Sequence, residues 1–299
     1  MKKLILLTIL LASLLFLSAC EGEQVQTNSG KAFYGGTQGV IANFELFGIE
    51  ESGVYSIFDT EKFPIEVTLG NKGEYEVQPG DVEVRLMGPS NEEFTGIPSW
   101  NIKNTEMVDT VSELLSTGGE ETITFGTDVS YQSEVTGAIN REWFANVDYK
   151  YETYVLIPEV CLKEDLKDNR VCDVEGAKEF FVSGAPITVA SVEESTAGKG
   201  IMALKVKISN VGGGKVTKLG EDFGVQEKLT YSIDDAGWEC KQGGKINEAR
   251  LIDGQAEIIC KLKNALATDT VSTKQVKLTF EYKYRDIIQE TLMIKESAK

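Results

Sequence analysis

The stretch Lys205-Val206-Lys207-Ile208-Ser209-Asn210-Val211-Gly212-Gly213-Gly214-Lys215-Val216 places three glycines ahead of a lysine, the residue types that cradle a phosphate. A phosphate loop reads GxxxxGK and then Ser or Thr, so that backbone amides wrap the anion and the hydroxyl reaches magnesium. Here Val216 follows Gly214-Lys215, and Ser209 stands at the first glycine position. Both ends fail, which leaves a turn, since Asn and Gly tolerate backbone conformations closed to other residues. The chain has no histidine, so Ser–His–Asp triads, Cys–His dyads and HExxH zinc sites are excluded. Acidic pairs occur at Glu50-Glu51, Glu92-Glu93, Glu120-Glu121 and Glu193-Glu194, but none has the spacing of an EF-hand. They read as solvated turns. No motif singles out two carboxylates for glycoside hydrolysis, and no metal or cofactor is expected.

Five cysteines are present. Cys20 stands apart, and Cys161, Cys172, Cys240 and Cys260 form an even set, the pattern of disulfides outside the cytoplasm. Four cysteines allow three connectivities; sequence proximity favours Cys161–Cys172 and Cys240–Cys260. A four-cysteine metal site lacks any CxxC spacing. Trp238, two residues before Cys240, is expected in the core. Trp100 and Trp143 are candidate contact residues, since loop aromatics anchor binding, although buried packing is the heavier expectation for each.

The elements that must position these residues are strands. Phe63, Ile65, Val67 and Leu69 alternate along one face, as do Val82, Val84 and Leu86, and later Leu204, Val206 and Ile208. Such short alternating runs bounded by Gly and Asn are half-buried strands. Asp253-Gly254 signals a hairpin. Residues 108–115 and 162–168 are expected as short helical turns. The chain also repeats itself. Residues 63–77 align with 202–216, bringing Asn71-x-Gly73 onto Asn210-x-Gly212, and 147–153 mirror 278–286.

The formal net charge is −17, and loss of Lys2 and Lys3 with a leader would make it −19. Such a surface repels nucleic acid. Lys2-Lys3 precede an apolar run from Leu4 to Leu17, too short for a membrane span but fitting a secretory signal. Leu17-Ser18-Ala19-Cys20 follows, and this tetrapeptide resembles the lipobox of prokaryotic lipoproteins. The resemblance implies cleavage after residue 19 and a lipid on Cys20 that anchors the chain to a membrane. A plain signal peptide and an uncleaved anchor are the alternatives. The polar, Gly-rich residues 20–39 are expected to be a flexible tether.

Alternating strand, Asn-x-Gly turn, valine, a Gly-Glu-led strand at 118–125 and a Tyr-rich strand together resemble the CARDB-type domains of prokaryotic surface proteins. That family implies an immunoglobulin-like sandwich used for adhesion or spacing and brings no catalytic residues. The expectation is an all-β chain: signal peptide 1–19, tether 20–39, a β-sandwich domain at 40–185 with an insertion near 88–118, and a second at 186–299. Its function is expected to be non-catalytic binding, adhesion or envelope assembly outside the cytoplasm, with an envelope protein, filament subunit or glycan as partner. The insertion carrying Trp100 is the first candidate contact surface. A solute-binding lipoprotein of a transporter and a carboxylate-based envelope hydrolase are the alternatives. The first is usually α/β, against the strands and hairpin signals here. The second needs a cleft with two acidic groups.

Overall fold

The computed structural model describes residues 32–51, 53–168, 170–174 and 176–298. The signal-like stretch, Cys20 and the tether up to Lys31 lie outside them. Residues 32–299 form one compact unit. No helix occurs among the described residues, and none is long and apolar enough to cross a membrane. The expected helical turns are absent. Val108 instead bridges Val77, Ser112 and Leu115 close a tight turn, and Leu162–Lys163 finish a strand.

The first half contains β1 (Val40–Phe44), β2 (Ile49–Glu51), β3 (Val54–Phe58), β4 (Lys62–Asn71), β5 (Val82–Met87), β6 (Phe94–Thr95), β7 (Asn101–Lys103), β8 (Glu120–Tyr131) and β9 (Ala138–Lys163). Two short pieces, β10 (Gly176–Ala177) and β11 (Phe181–Val182), lead into the second half. That half contains β12 (Ile187–Gly198), β13 (Ile201–Asn210), β14 (Lys215–Thr217), β15 (Glu227–Ile233), β16 (Trp238–Gln242), β17 (Lys245–Ile246), β18 (Glu248–Leu251), β19 (Gln255–Leu262) and β20 (Val271–Lys295).

Alternation decides which side chains face inward. In β4, Phe63, Ile65, Val67 and Leu69 are buried while Glu66 and Thr68 are less so. Pro64 in the same strand has no amide to donate, and the pairing of β4 with β8 slips at that point. Two outer sheets, β1-β4-β8-β6 and β10-β12-β13-β19-β16-β17, are separate. A third, ten-stranded sheet has the main path β18-β15-β20-β9-β5-β7. Both halves therefore share one sheet, joined along β9 and β20.

The repeat in the sequence becomes a symmetry of the fold. Val40 pairs with Asn71 as Ile187 pairs with Asn210. Asn71 N–H bonds Gly119 O at 3.0 Å and Asn210 N–H bonds Gly254 O at 2.8 Å. Along the join, Tyr149 faces Tyr284, Lys150 faces Lys283 and Tyr151 faces Tyr282. Equivalent strands paired antiparallel are related by a two-fold axis, which here passes through the Lys150–Lys283 pair. Opposed like charges cost stability. Each lysine is drawn instead over a ring, Lys150 over Tyr75 at 5.6 Å and Lys283 over Phe223 at 4.9 Å.

Both disulfides connect as sequence proximity suggested. Cys161 and Cys172 have Cα atoms 5.7 Å apart, and Cys240 and Cys260, 3.8 Å apart, face each other on β16 and β19. Closing loops of 11 and 20 residues restricts the unfolded chain. That effect stabilises by about 3 kcal/mol per bridge.

Candidate functional site

The glycine run is folded as a turn around a protein group, the Tyr284 hydroxyl. Asn210 Nδ2 donates to Gly214 O at 3.0 Å, the Tyr284 hydroxyl donates to Asn210 Oδ1 at 3.0 Å, and Gly214 N–H donates to the Tyr284 oxygen at 2.9 Å. A Cβ on Gly212 would lie 2.2 Å from that hydroxyl oxygen, so glycine is required for the approach. The first half repeats the device. Asn71, fully buried, donates from Nδ2 to Tyr75 O at 2.7 Å and Val108 O at 3.2 Å. Its Oδ1 accepts from Gly73 N–H at 3.2 Å and from the Tyr151 hydroxyl at 2.9 Å. A Cβ on Gly73 would meet the Tyr151 oxygen at 2.2 Å. Asn-x-Gly is thus a clamp on a tyrosine from the central sheet.

Those tyrosines form a closed square. Ring centroids are 5.7 Å apart for Tyr149–Tyr151, 5.5 Å for Tyr149–Tyr284, 6.4 Å for Tyr151–Tyr282 and 6.4 Å for Tyr282–Tyr284. Burial pushes the Tyr284 hydroxyl up to about 12 and raises those of Tyr149, Tyr151 and Tyr282 as well, so all four stay neutral. Tyr151 and Tyr284 donate to the two asparagines, Tyr282 shares a hydrogen bond with Thr153 at 3.0 Å, and all four pack.

Beside the square, on the face of the central sheet away from the tyrosines, lies a cleft of about 490 Å³. Its lining includes Met87, Asn146, Lys215, Phe223, Arg285 and Ile287. Alternation explains the set, because Arg285 and Ile287 stand at odd positions of β20 while Tyr282 and Tyr284 point inward. Asp148 grips Arg285 through both carboxylate oxygens, at 2.5 and 2.6 Å, and this contact raises the guanidinium pKa. The guanidinium carbon lies 4.2 Å from the Phe223 ring centroid. Asn146 Oδ1 is buried and has no hydrogen-bond partner, which marks an acceptor able to take a donor from a ligand. Lys215, Phe223 and Gly224 also line a neighbouring hollow of about 660 Å³, where Val225 and Ile252 are exposed. Glu248, on the adjoining edge strand β18, is held down to about 2 by hydrogen bonds from Lys218 and Lys245. This surface combines the Phe223 ring, the guanidinium held by Asp148 and the buried, unpartnered amide oxygen of Asn146.

The acidic pairs are largely consumed by the protein. Glu93 bonds Arg141, Glu120 bonds Lys72, Glu121 accepts from the Thr105 and Glu106 amides, and Glu193 lies near Lys205. Glu194 meets Lys178 at 2.6 Å and accepts from Cys161 N–H, while burial raises its pKa. Among the described residues no group of three or more His, Cys, Asp or Glu could hold a metal.

Of the two candidate contact tryptophans, Trp143 belongs to the core instead. It lies on an inward position of β9, fully buried against Phe47, Phe94 and Trp100. Trp100 is half-buried and stacks on Trp143 at 5.8 Å, so its ring is largely spent on packing. Trp238 is in the core, as expected. The insertion at 88–118 is laced down by β6, β7 and the Val77–Val108 bridge, with Leu114 fully exposed at its turn. Asn146, Phe223 and Arg285 were not singled out from sequence. The alternation around Tyr282 and Tyr284 places Arg285 outward, but only the pairing of β9 with β20 brings it to Asp148 and Asn146.

No family model matches the chain, and no curated protein matches it. Among solved structures, the secreted serine protease VesC from Vibrio cholerae is similar at 9% identity and a TM-score of 0.20, over 84% of this chain and 51% of that one. The chain spans about half the length of that protein, and a likeness this slight transfers neither fold nor activity.

Proposed function

We propose that the chain is a lipid-anchored, extracytoplasmic β-protein that acts by non-catalytic contact with another envelope component, as a binding, adhesion or assembly module. The observation that supports this most is the pair of disulfides in an all-β body, the chemistry of an oxidising compartment, behind a chain start that ends in Leu17-Ser18-Ala19-Cys20. The lipid on Cys20 tethers the body near the membrane, and the cleft around Phe223 and Asn146 supplies a contact surface. Partner recognition rests on that surface and on strand edges, with no bond made or broken.

The test is expression in a prokaryotic host with a clickable fatty acid, followed by fractionation. Wild-type chain is expected to carry the label and sediment with membranes, and Cys20→Ala to lose the label and leave the membrane fraction. Membrane-bound wild type without label, matched by the variant, would overturn the lipid anchor.

A further inference from the structure

The two mated strands at the centre of the fold have unequally occupied outer edges. On β9, beyond its pairing with β5, the short strand β11 lies antiparallel, Phe181 against Leu156 and Val182 against Val155. Ser183 completes the contact. Its N–H donates to Tyr154 O at 2.9 Å, and its Oγ accepts from Tyr154 N–H at 2.9 Å. Gly184 follows, and a Cβ there would lie 2.7 Å from Gly35 O and 3.3 Å from Gly73 Cα. The docked segment is therefore two apolar residues, a hydroxyl and a glycine.

Because Tyr151 and Tyr284 occupy matching places, counting along each strand makes Tyr154 the mate of Ile287, Val155 of Ile288 and Leu156 of Gln289. On β20, β14 ends opposite Arg285 and β3 begins opposite Leu292. Among the described residues no strand pairs with the outer edge of Asp286–Thr291, a gap of roughly 20 Å at 3.3 Å per residue. Ile287 is 58% exposed there, whereas its mate Tyr154 is half-buried under the Phe33 ring. The edge amide of Ile287 donates to its neighbour's Asp286 Oδ1 at 2.8 Å, where Tyr154 uses the incoming Ser183. Thr291 N–H is capped likewise by Glu290 at 3.0 Å. The first-half counterpart of β11, by its distance ahead of Val40, is Tyr34–Gly35. That segment is engaged elsewhere, both amides donating to Glu74 at 2.9 Å.

We propose that the outer edge of β20 from Asp286 to Thr291 is an acceptor for a short extended strand of another protein, added antiparallel, with apolar residues leading into a hydroxyl and a glycine over Ile287. The hydroxyl replaces Asp286 on the Ile287 amide, as Ser183 serves Tyr154. The strand's backbone supplies affinity, and the adjoining cleft with Asn146 Oδ1 and Phe223 receives outward side chains. Asp286 and Glu290 favour a neutral or basic strand. The proposal rests on the reading of this chain as a contact protein and gives that contact a place.

The test is fluorescence polarisation with a labelled peptide copying residues 178–186, titrated with the full chain in mild detergent. Saturable binding is expected, at least several-fold tighter for Asp286→Ala, which frees the Ile287 amide. Gln289→Pro is expected to abolish it. Position 289 has the same edge-facing parity as 287, so proline there leaves the ladder to β9 intact. A peptide N-methylated at its serine amide keeps the protein unaltered and is expected not to bind. No binding to wild type or Asp286→Ala would overturn the proposal, as would binding indifferent to both N-methylation and Gln289→Pro. Self-association of the wild type that Gln289→Pro abolishes would make a second copy the occupant and overturn the assignment to another protein. Failure of Cys20 labelling leaves these outcomes unchanged, so the anchor and the acceptor edge fail separately.

Discussion

Asn71→Ala is expected to lower stability by about 4 kcal/mol, because it strands several buried groups, each costing about 1–3 kcal/mol with incomplete additivity. The substitution removes both donors from Tyr75 O and Val108 O and the acceptor for Gly73 N–H and the Tyr151 hydroxyl. Tyr151 is fully buried, so its hydroxyl has no route to water at that spot. Asn210 is half-buried and makes two of the corresponding bonds, to Gly214 O and from Tyr284. Asn210→Ala is accordingly expected to cost about 2 kcal/mol. Urea midpoints at unchanged slope measure both, and equal losses at the two positions would show that burial does not set the difference.

Trp143→Ala is expected to cost about 4 kcal/mol, the range for emptying a buried aromatic site. The ring packs against Phe47, Phe94 and Trp100, with centroids 6.1, 5.0 and 5.8 Å away. Trp143→Phe is expected to cost far less, under about 1.5 kcal/mol. The indole Nε1 is buried with no partner, so phenylalanine gives up no hydrogen bond and relieves an unsatisfied donor. Circular dichroism in urea reads both variants without relying on tryptophan emission. A phenylalanine variant as unstable as the alanine variant would mean that ring volume is not what holds this site.

Much of the architecture was legible in the sequence because strand burial has period two. The inward sets at Phe63–Leu69 and Leu204–Ile208 are the alternating runs themselves. The repeat was legible too, since Tyr149 and Tyr282 lie at comparable distances after Asn71 and Asn210. The residues actually clamped are two further on, Tyr151 and Tyr284, on the same strand faces. Disulfide pairing followed from proximity along the chain. What the sequence did not carry was register between distant strands. Nothing local says that β9 and β20 pair along nearly their whole length, so the joining of both halves in one sheet, the Asp148–Arg285 grip and the open edge after Arg285 were invisible. Residues 108–115 suggested a helical turn because apolar side chains fall at helical spacing, but Val108 is held by Val77 and the rest by turn hydrogen bonds. Trp143 drew attention as a loop aromatic although it stands at an inward position of a long strand, a placement that depends on where β9 begins.

The account turns on the join between β9 and β20, which makes each half's central sheet an extension of the other's. Scanning calorimetry of the chain tests this most directly. A single heat-absorption peak, with calorimetric and van't Hoff enthalpies equal, is the expected result, because neither outer sheet can lose the shared sheet alone. Two resolved peaks, one shifted by Asn71→Ala and the other untouched, would contradict it.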